Sequence, residues 1–215
     1  MHELLALFPL HMVLFPGELL PLRIFEERYK QMIGQCLTRQ EPFGVVLIHS
    51  GAEAFGELAR PHSVGTSATI IDAIRFEDGQ YYIATQGGPR FRVHEIVEDA
   101  PYLVAAVEFL EDEVDSECQI QADHLRELYN RYRSAAPIIT SSAQPLADLP
   151  LDPIELSFRL SEQLQVTDES KQHLLEADLE TRLEALTAAL EEELRMLPPV
   201  SGTPKQHLDG PWSLN

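Results

Sequence analysis

Near residue 112 the hydrophobic period of this chain changes, and that change constrains the fold more than any other feature. Before it, apolar residues recur every second position, as on a half-buried strand. After it they recur every third or fourth position, as on a helix face. Strands followed by helices predict an α+β protein with two sub-domains, rather than an alternating α/β sheet.

In the first part, Leu4 to Leu10 reads as a strand stopped by proline. Val13 to Pro21 reads as a loop punctuated by Pro16, Gly17 and Pro21. Leu22 to Arg39 reads as a helix, with Phe25, Tyr29, Met32, Ile33, Cys36 and Leu37 on one face. Phe43 to His49 is a continuous apolar run and therefore a buried strand. Val64 to Phe76 is a long strand with Val64, Thr66, Ala68, Ile70, Asp72, Ile74 and Phe76 in alternation, closed by the hairpin signal Asp78-Gly79. Tyr81 to Thr85 returns, Gly87, Gly88 and Pro89 signal a bulge or tight bend, and Phe91 to Val97 resumes as a strand. Tyr102 to Leu110 closes the set, with Leu103, Ala105, Val107 and Phe109 on one face. Six strands and one early helix predict a compact barrel-like β domain over residues 1–112.

Residues 108–117 hold six carboxylates in ten positions and read as a solvated connector. A helical bundle follows over 113–197. Its first helix spans Ser116 to Ser134, with Ile120, Leu125, Leu128 and Tyr132 inward. Asp152, Pro153 and Glu155 form a helix start, with Leu156, Leu160 and Leu164 as its stripe. Thr167 caps a short third helix, and Asp178 starts a last one bearing Leu179, Leu183, Leu186, Leu190, Leu194 and Leu197. Residues 198–215 read as a polar tail with the chain's one tryptophan, Trp212.

Charge narrows the function. The chain has 35 acidic against 16 basic residues, net −19, and no lysine–arginine run. Such a surface repels phosphate backbones and anionic membranes, so nucleic acid and membrane are not expected partners. Cys36 and Cys118 stand far apart and form no metal or redox pair, which fits reduced thiols in the cytoplasm. The eight histidines show no metal-ligand spacing. Lys30, Lys171 and Lys205 all lie outside G-K-[ST], so no P-loop is present, and no G-x-S-x-G elbow occurs. No cofactor and no catalytic residue is expected.

The segment LFPLHMVLFPGELLPLRIFEERY, Leu7 to Tyr29, closely resembles the first signature of the Lon protease N-terminal (substrate-binding) domain family. Pro9, Phe15, Pro16, Gly17, Pro21, Phe25, Glu26, Arg28 and Tyr29 carry it. Further matches follow in order: FGVVLI, VGTSATI with Gly65 and Thr66, QGGPRFRV with Arg90 and Phe91, and YLVAAVEFLED. The resemblance implies a PUA-like β pseudo-barrel followed by a helical bundle. It also implies a non-catalytic module that recognises protein or peptide segments, whether unfolded or specific, as an adaptor in protein quality control would. The alternatives are a PUA-like RNA-binding protein, or an accessory component of a split ATP-dependent protease. Read from the residues themselves, the signature is structural: Pro16-Gly17 turns the chain, Pro21 blocks earlier entry into the helix, and Phe15 and Phe25 are expected to pack against each other's elements.

A peptide site is expected at the junction of the two sub-domains, bordered by Ala135 to Pro150. Ile138, Ile139 and Leu146 in that weakly charged loop either fill the junction or line a groove for an apolar peptide.

Overall fold

The computed structural model describes residues 2–50, 60–135 and 148–196. Among these residues, seven strands come from the first half: β1 (Glu3–Leu10), β2 (Leu19–Ile24), β3 (Phe43–Ser50), β4 (Arg60–Pro61), β5 (Val64–Arg75), β6 (Tyr81–Glu98) and β7 (Leu103–Phe109). One helix, α1 (Glu27–Arg39), interrupts them. Four helices follow: α2 (Ser116–Ala135), α3 (Pro153–Gln163), α4 (Asp168–Glu176) and α5 (Leu179–Met196). The α+β class read from the change of period is the observed one.

The sheet closes on itself. Its path runs β1-β7-β6-β5-β3, and β3 returns to β1 in a parallel pairing from Leu7↔Gly44 to Leu10↔Leu47. Closure pairs both edges of these five strands and leaves no template for aggregation around the ring. β4 extends β3, and β2 lies outside the ring, paired with β6 from Leu19↔Gln86 to Ile24↔Tyr81.

β6 organises the barrel because it is 18 residues long and serves three partners. Gly87 to Pro89 sits within it as a bulge rather than a break: Thr66 pairs Arg90 while Ala68 pairs Gly87. Gly87 and Gly17 meet here. The Gly17 N–H donates to the Gly87 carbonyl at 2.8 Å, and the Gly87 N–H donates to the Glu18 carbonyl at 2.8 Å. A Cβ on Gly87 would lie 2.2 Å from the Phe15 carbonyl oxygen, and Gly17 has φ +83°, so both positions require glycine. Two sequence motifs seventy residues apart are thus one stitched turn.

The early helix starts later than its periodicity predicts. Leu19–Ile24 is a strand, with Leu20 and Ile24 buried, Leu22 half-buried, and Leu19, Pro21 and Arg23 outward. Period two and period 3.6 coincide over so few residues, and pairing to β6 decides between them. Pro21 is tolerated because β2 pairs on one side only, with β6, among the described residues. Helix α1 begins at Glu27 and buries Tyr29, Met32, Ile33 and Cys36 against Phe8, Leu14, Leu20, Ile24 and Phe43. Phe25, read as part of that buried face, is instead 61% exposed, and Leu37 is also exposed.

A second slip of face occurs in β5. An extra residue between Ile70 and Asp72 shifts its register on β6. Beyond it Ala73 turns inward and Ile74 outward, which reverses the alternation read from the sequence.

The helices build their own core from Cys118, Ala122, Leu125, Leu128 and Tyr129 of α2, Leu156 and Leu160 of α3, and Leu179, Leu183, Leu186 and Leu190 of α5. Ile120, expected inward, is exposed; Cys118 and Ala122 occupy the inward positions instead. The caps are as read: Asp152 accepts from the Glu155 N–H, Thr167 from Ser170, and Asp178 from Thr181.

Candidate functional site

Two groupings of arginine with aromatic side chains, among several in the described residues, bear on the site. One is the junction between barrel and helices. Val13, Phe15, Leu47 and Val64 pack there against Phe158 of α3 and Leu174 and Leu175 of α4. Phe15, from the signature loop, meets Phe158 with ring centroids 6.2 Å apart. The described part of the junction is therefore filled.

The polar centre of that junction is Asp112. Its side chain is 4% exposed, so residue 112 is not part of a solvated connector. Oδ1 accepts from the Arg90 guanidinium at 2.8 Å, and Oδ2 from Arg182 at 2.9 Å. Arg90 stands on β6 and Arg182 on α5, so one carboxylate ties the barrel to the last helix. Arg90 also donates to the Leu175 and Ala177 carbonyls, the C-terminal end of α4, where a cation is favoured. Arg182 donates to Ser157 Oγ and to the Ala177 carbonyl. Both guanidiniums lie over the Phe158 ring, Arg182 at 3.9 Å and Arg90 at 5.4 Å. Burial pushes Arg182 down to about 10 and Arg90 below its usual range, and Asp112 opposes both shifts. Both stay charged at neutral pH. Both guanidiniums give hydrogen bonds to groups of the fold, namely Asp112, Ser157 and the Leu175 and Ala177 carbonyls, so the cluster is a structural clamp.

The other place is the outer face of β2, β6 and β5. The register lines up Arg23, Tyr82 and Ile74 across the three strands. The Arg23 guanidinium lies 5.7 Å from the Tyr82 ring centre, and its Nε donates to Gln80. Phe76 meets Tyr82 edge-on at 5.2 Å. Tyr82, Ile74 and Phe76 are 46, 56 and 46% exposed, and Leu19 and Ile71 add further exposed apolar surface on the flanking strands. The inward side of the same strands, including Leu20, Ile24 and Ile83, is barrel core. Inner positions are thus buried among apolar neighbours while outer ones, equally apolar, are left to solvent. The alternation in the sequence puts Ile74 and Phe76 on the same side as the buried Val64 and Ala68, and the one-residue shift after Ile70 is what turns Ile74 outward.

The signature residues are dispersed around the barrel rather than gathered on this face. Pro9 is buried in β1 and pairs with Val46. Gly65 lies so close to β3 that a Cβ would stand 2.4 Å from the Val45 carbonyl oxygen. Thr66 Oγ1 donates to the Leu14 carbonyl at 2.6 Å, and Phe91 is fully buried. Tyr29 packs on Phe8, and Arg28 pairs with Glu26 at 2.9 Å. Pro21 and Phe25 border the outer face. Ile138, Ile139 and Leu146 lie outside the described residues, as does the tail from 198 to 215. Cys36 is buried, and burial pushes its thiol up to about 11, far from a nucleophile's range.

Residues 4–192 match the family model of the ATP-dependent protease La (LON) substrate-binding domain. Among curated proteins, the Lon protease of Syntrophus aciditrophicus is 27% identical over 203 residues, 91% of this chain and 26% of that protein. Lon protease 2 of Myxococcus xanthus is 29% identical over 200 residues, covering 91% and 24%. The chain thus spans about a quarter of the length of the curated relatives it matches. Among solved structures, the Lon N-terminal domain protein from Xanthomonas campestris superposes with a TM-score of 0.61 at 30% identity, covering 86% of this chain and 98% of that one. The N-terminal domain of the Mycobacterium avium complex Lon protease superposes with a TM-score of 0.65 at 18% identity, covering 88% and 99%, a likeness of fold. On the match over residues 4–192, the chain belongs to the LON substrate-binding domain family.

Proposed function

We propose that this chain is a non-catalytic recognition module that holds unfolded or extended protein segments on the outer face of β2, β6 and β5, and acts as an adaptor in cytoplasmic protein quality control. The observation that carries the reading is the row Arg23–Tyr82–Ile74, with Phe76 edge-on to Tyr82, left exposed on a sheet whose other side is core. Tyrosine and arginine dominate binding hot spots because they bring large contact area and several donors at small entropic cost. Docking on the face is favoured over strand addition at the edge of β2, since Pro21 offers no N–H to an incoming strand. The net charge of −19 turns the reading away from RNA. The same reading divides the chain into a β domain over 1–112, a helical bundle over 113–197 and a polar tail, with Asp112 as the clamp at the boundary.

The test is fluorescence anisotropy of a labelled, permanently unfolded polypeptide titrated with the protein. The protein is expected to bind it in the micromolar to tens of micromolar range, about −8 to −6 kcal/mol. Tyr82→Ala and Ile74→Asp should each weaken binding at least about ten-fold. Absence of capture by the unaltered protein at these concentrations refutes the recognition reading. Undiminished capture by both variants moves the site off this face.

A further inference from the structure

His62 follows β4 and lies between the barrel and α4, with its side chain only 13% exposed. Each ring nitrogen faces a carboxylate of that helix. Nε2 is 3.6 Å from Glu169 Oε2, and Nδ1 is 3.6 Å from Glu176 Oε1. Glu176 is held in place because Gln172 Nε2 donates to the same oxygen at 2.8 Å, while also donating to the Val64 carbonyl of β5. His49 of β3 presents its ring edge-on, with centroids 5.0 Å apart. Glu169, Glu176 and His49 are the titratable groups that these contacts bring against His62 among the described residues. Nε2 is buried and has no hydrogen-bond partner.

A neutral imidazole cannot satisfy this geometry. It carries one N–H and one lone pair, so one of the two nitrogens must present its lone pair to a carboxylate oxygen. Only the imidazolium, a donor at both nitrogens, suits both neighbours. A metal ion is the other species that could sit between such groups. Among the described residues, however, no three His, Cys, Asp or Glu side chains are arranged to hold one.

We propose that His62 is a proton-operated latch: on protonation it bridges Glu169 and Glu176 and tightens α4 against the barrel. The sign follows from the geometry. Only the protonated ring can donate toward both carboxylates, so the added hold on α4 is present while the ring is charged and is lost as rising pH makes it neutral. α4 supplies Leu174 and Leu175 to the junction core and its terminal carbonyls to Arg90, so the latch acts on a helix that packs directly on the barrel. The latch is independent of where peptides bind.

Amide hydrogen exchange of Leu174 and Leu175 in the full chain, corrected for intrinsic rates and compared at pH 5.5 and 7.5, tests the proposal. Protection in the unaltered protein is expected to rise by about two- to five-fold at the lower pH, the range for a partly exposed ion pair. In His62→Gln the rise should disappear. Glu169→Gln, at an exposed position that leaves the core untouched, and Glu176→Gln should each reduce it. An equal rise in His62→Gln, no rise in the unaltered protein, or a full response in both glutamate variants would overturn the latch.

Discussion

The barrel–helix junction and the outer face of β2, β6 and β5 use the same chemistry to opposite ends. In the junction, Arg182 and Arg90 lie over Phe158, Asp112 faces both, and all three polar side chains are buried. On the outer face, Arg23 lies over Tyr82, its Nε is met by the neutral Gln80, and the group stays half exposed. A buried guanidinium must find every partner within the fold, because unpaired charge in a low dielectric is prohibitive. An exposed one keeps spare donors for something that arrives later. The contrast teaches which arginine–aromatic group holds the molecule together and which remains available to a partner.

Removing the charge of the clamp tests the first half of that comparison and carries the largest expected effect. Asp112→Asn leaves two buried guanidiniums facing a neutral group. It should lower stability by about 3–5 kcal/mol in urea unfolding. A loss under about 1 kcal/mol would show that the clamp is ornamental to the junction.

A smaller effect is expected at Glu18, whose Oε2 accepts from the Phe15 N–H at 2.8 Å on the barrel side of the junction. Burial raises its carboxyl above the ordinary 4.5, against the Phe15 N–H bond, with Glu162 adding to the rise and Lys171 and Arg159 opposing it. A raised folded value means that the contribution to stability is present at low pH and is lost as pH rises through that value. Glu18→Gln retains an acceptor for Phe15 and removes the buried charge. It should flatten this part of the stability–pH curve and increase stability at pH 7. Decreased stability at pH 7 would instead mark the charge as a partner that the junction needs.

The smallest effect sharpens the second half. Ile74→Asp on the outer face removes no core contact and should shift stability by less than about 0.5 kcal/mol. A larger loss would mean that this face is packed in solution, and the distinction between holding and available groups would fail there.

Local patterns in the chain carried most of the elements. The alternation in Leu103, Ala105 and Val107, the Asp78-Gly79 turn, and the caps at Asp152, Thr167 and Asp178 each depend on neighbours within a few residues, and they are as read. The ordered motifs from Leu7 to Asp112 were also sufficient to indicate the family, which the match over residues 4–192 bears out. Less of the candidate site was legible. Leu19–Ile24 suits strand and helix equally, so the choice fell to the available edge of β6. The one-residue shift after Ile70 that turns Ile74 outward exists only in the pairing of β5 with β6.

Asp112 shows the division most clearly. In sequence it is one of six carboxylates in an acidic run, where solvation is the expected fate. Its partners stand 22 and 70 positions away, on β6 and α5. Composition, period, turns and caps are short-range properties, and the chain alone determined them. Which acid is buried, which arginine it meets and which apolar face stays open depend on contacts between distant segments, and only the closed barrel and its docked helices decided those.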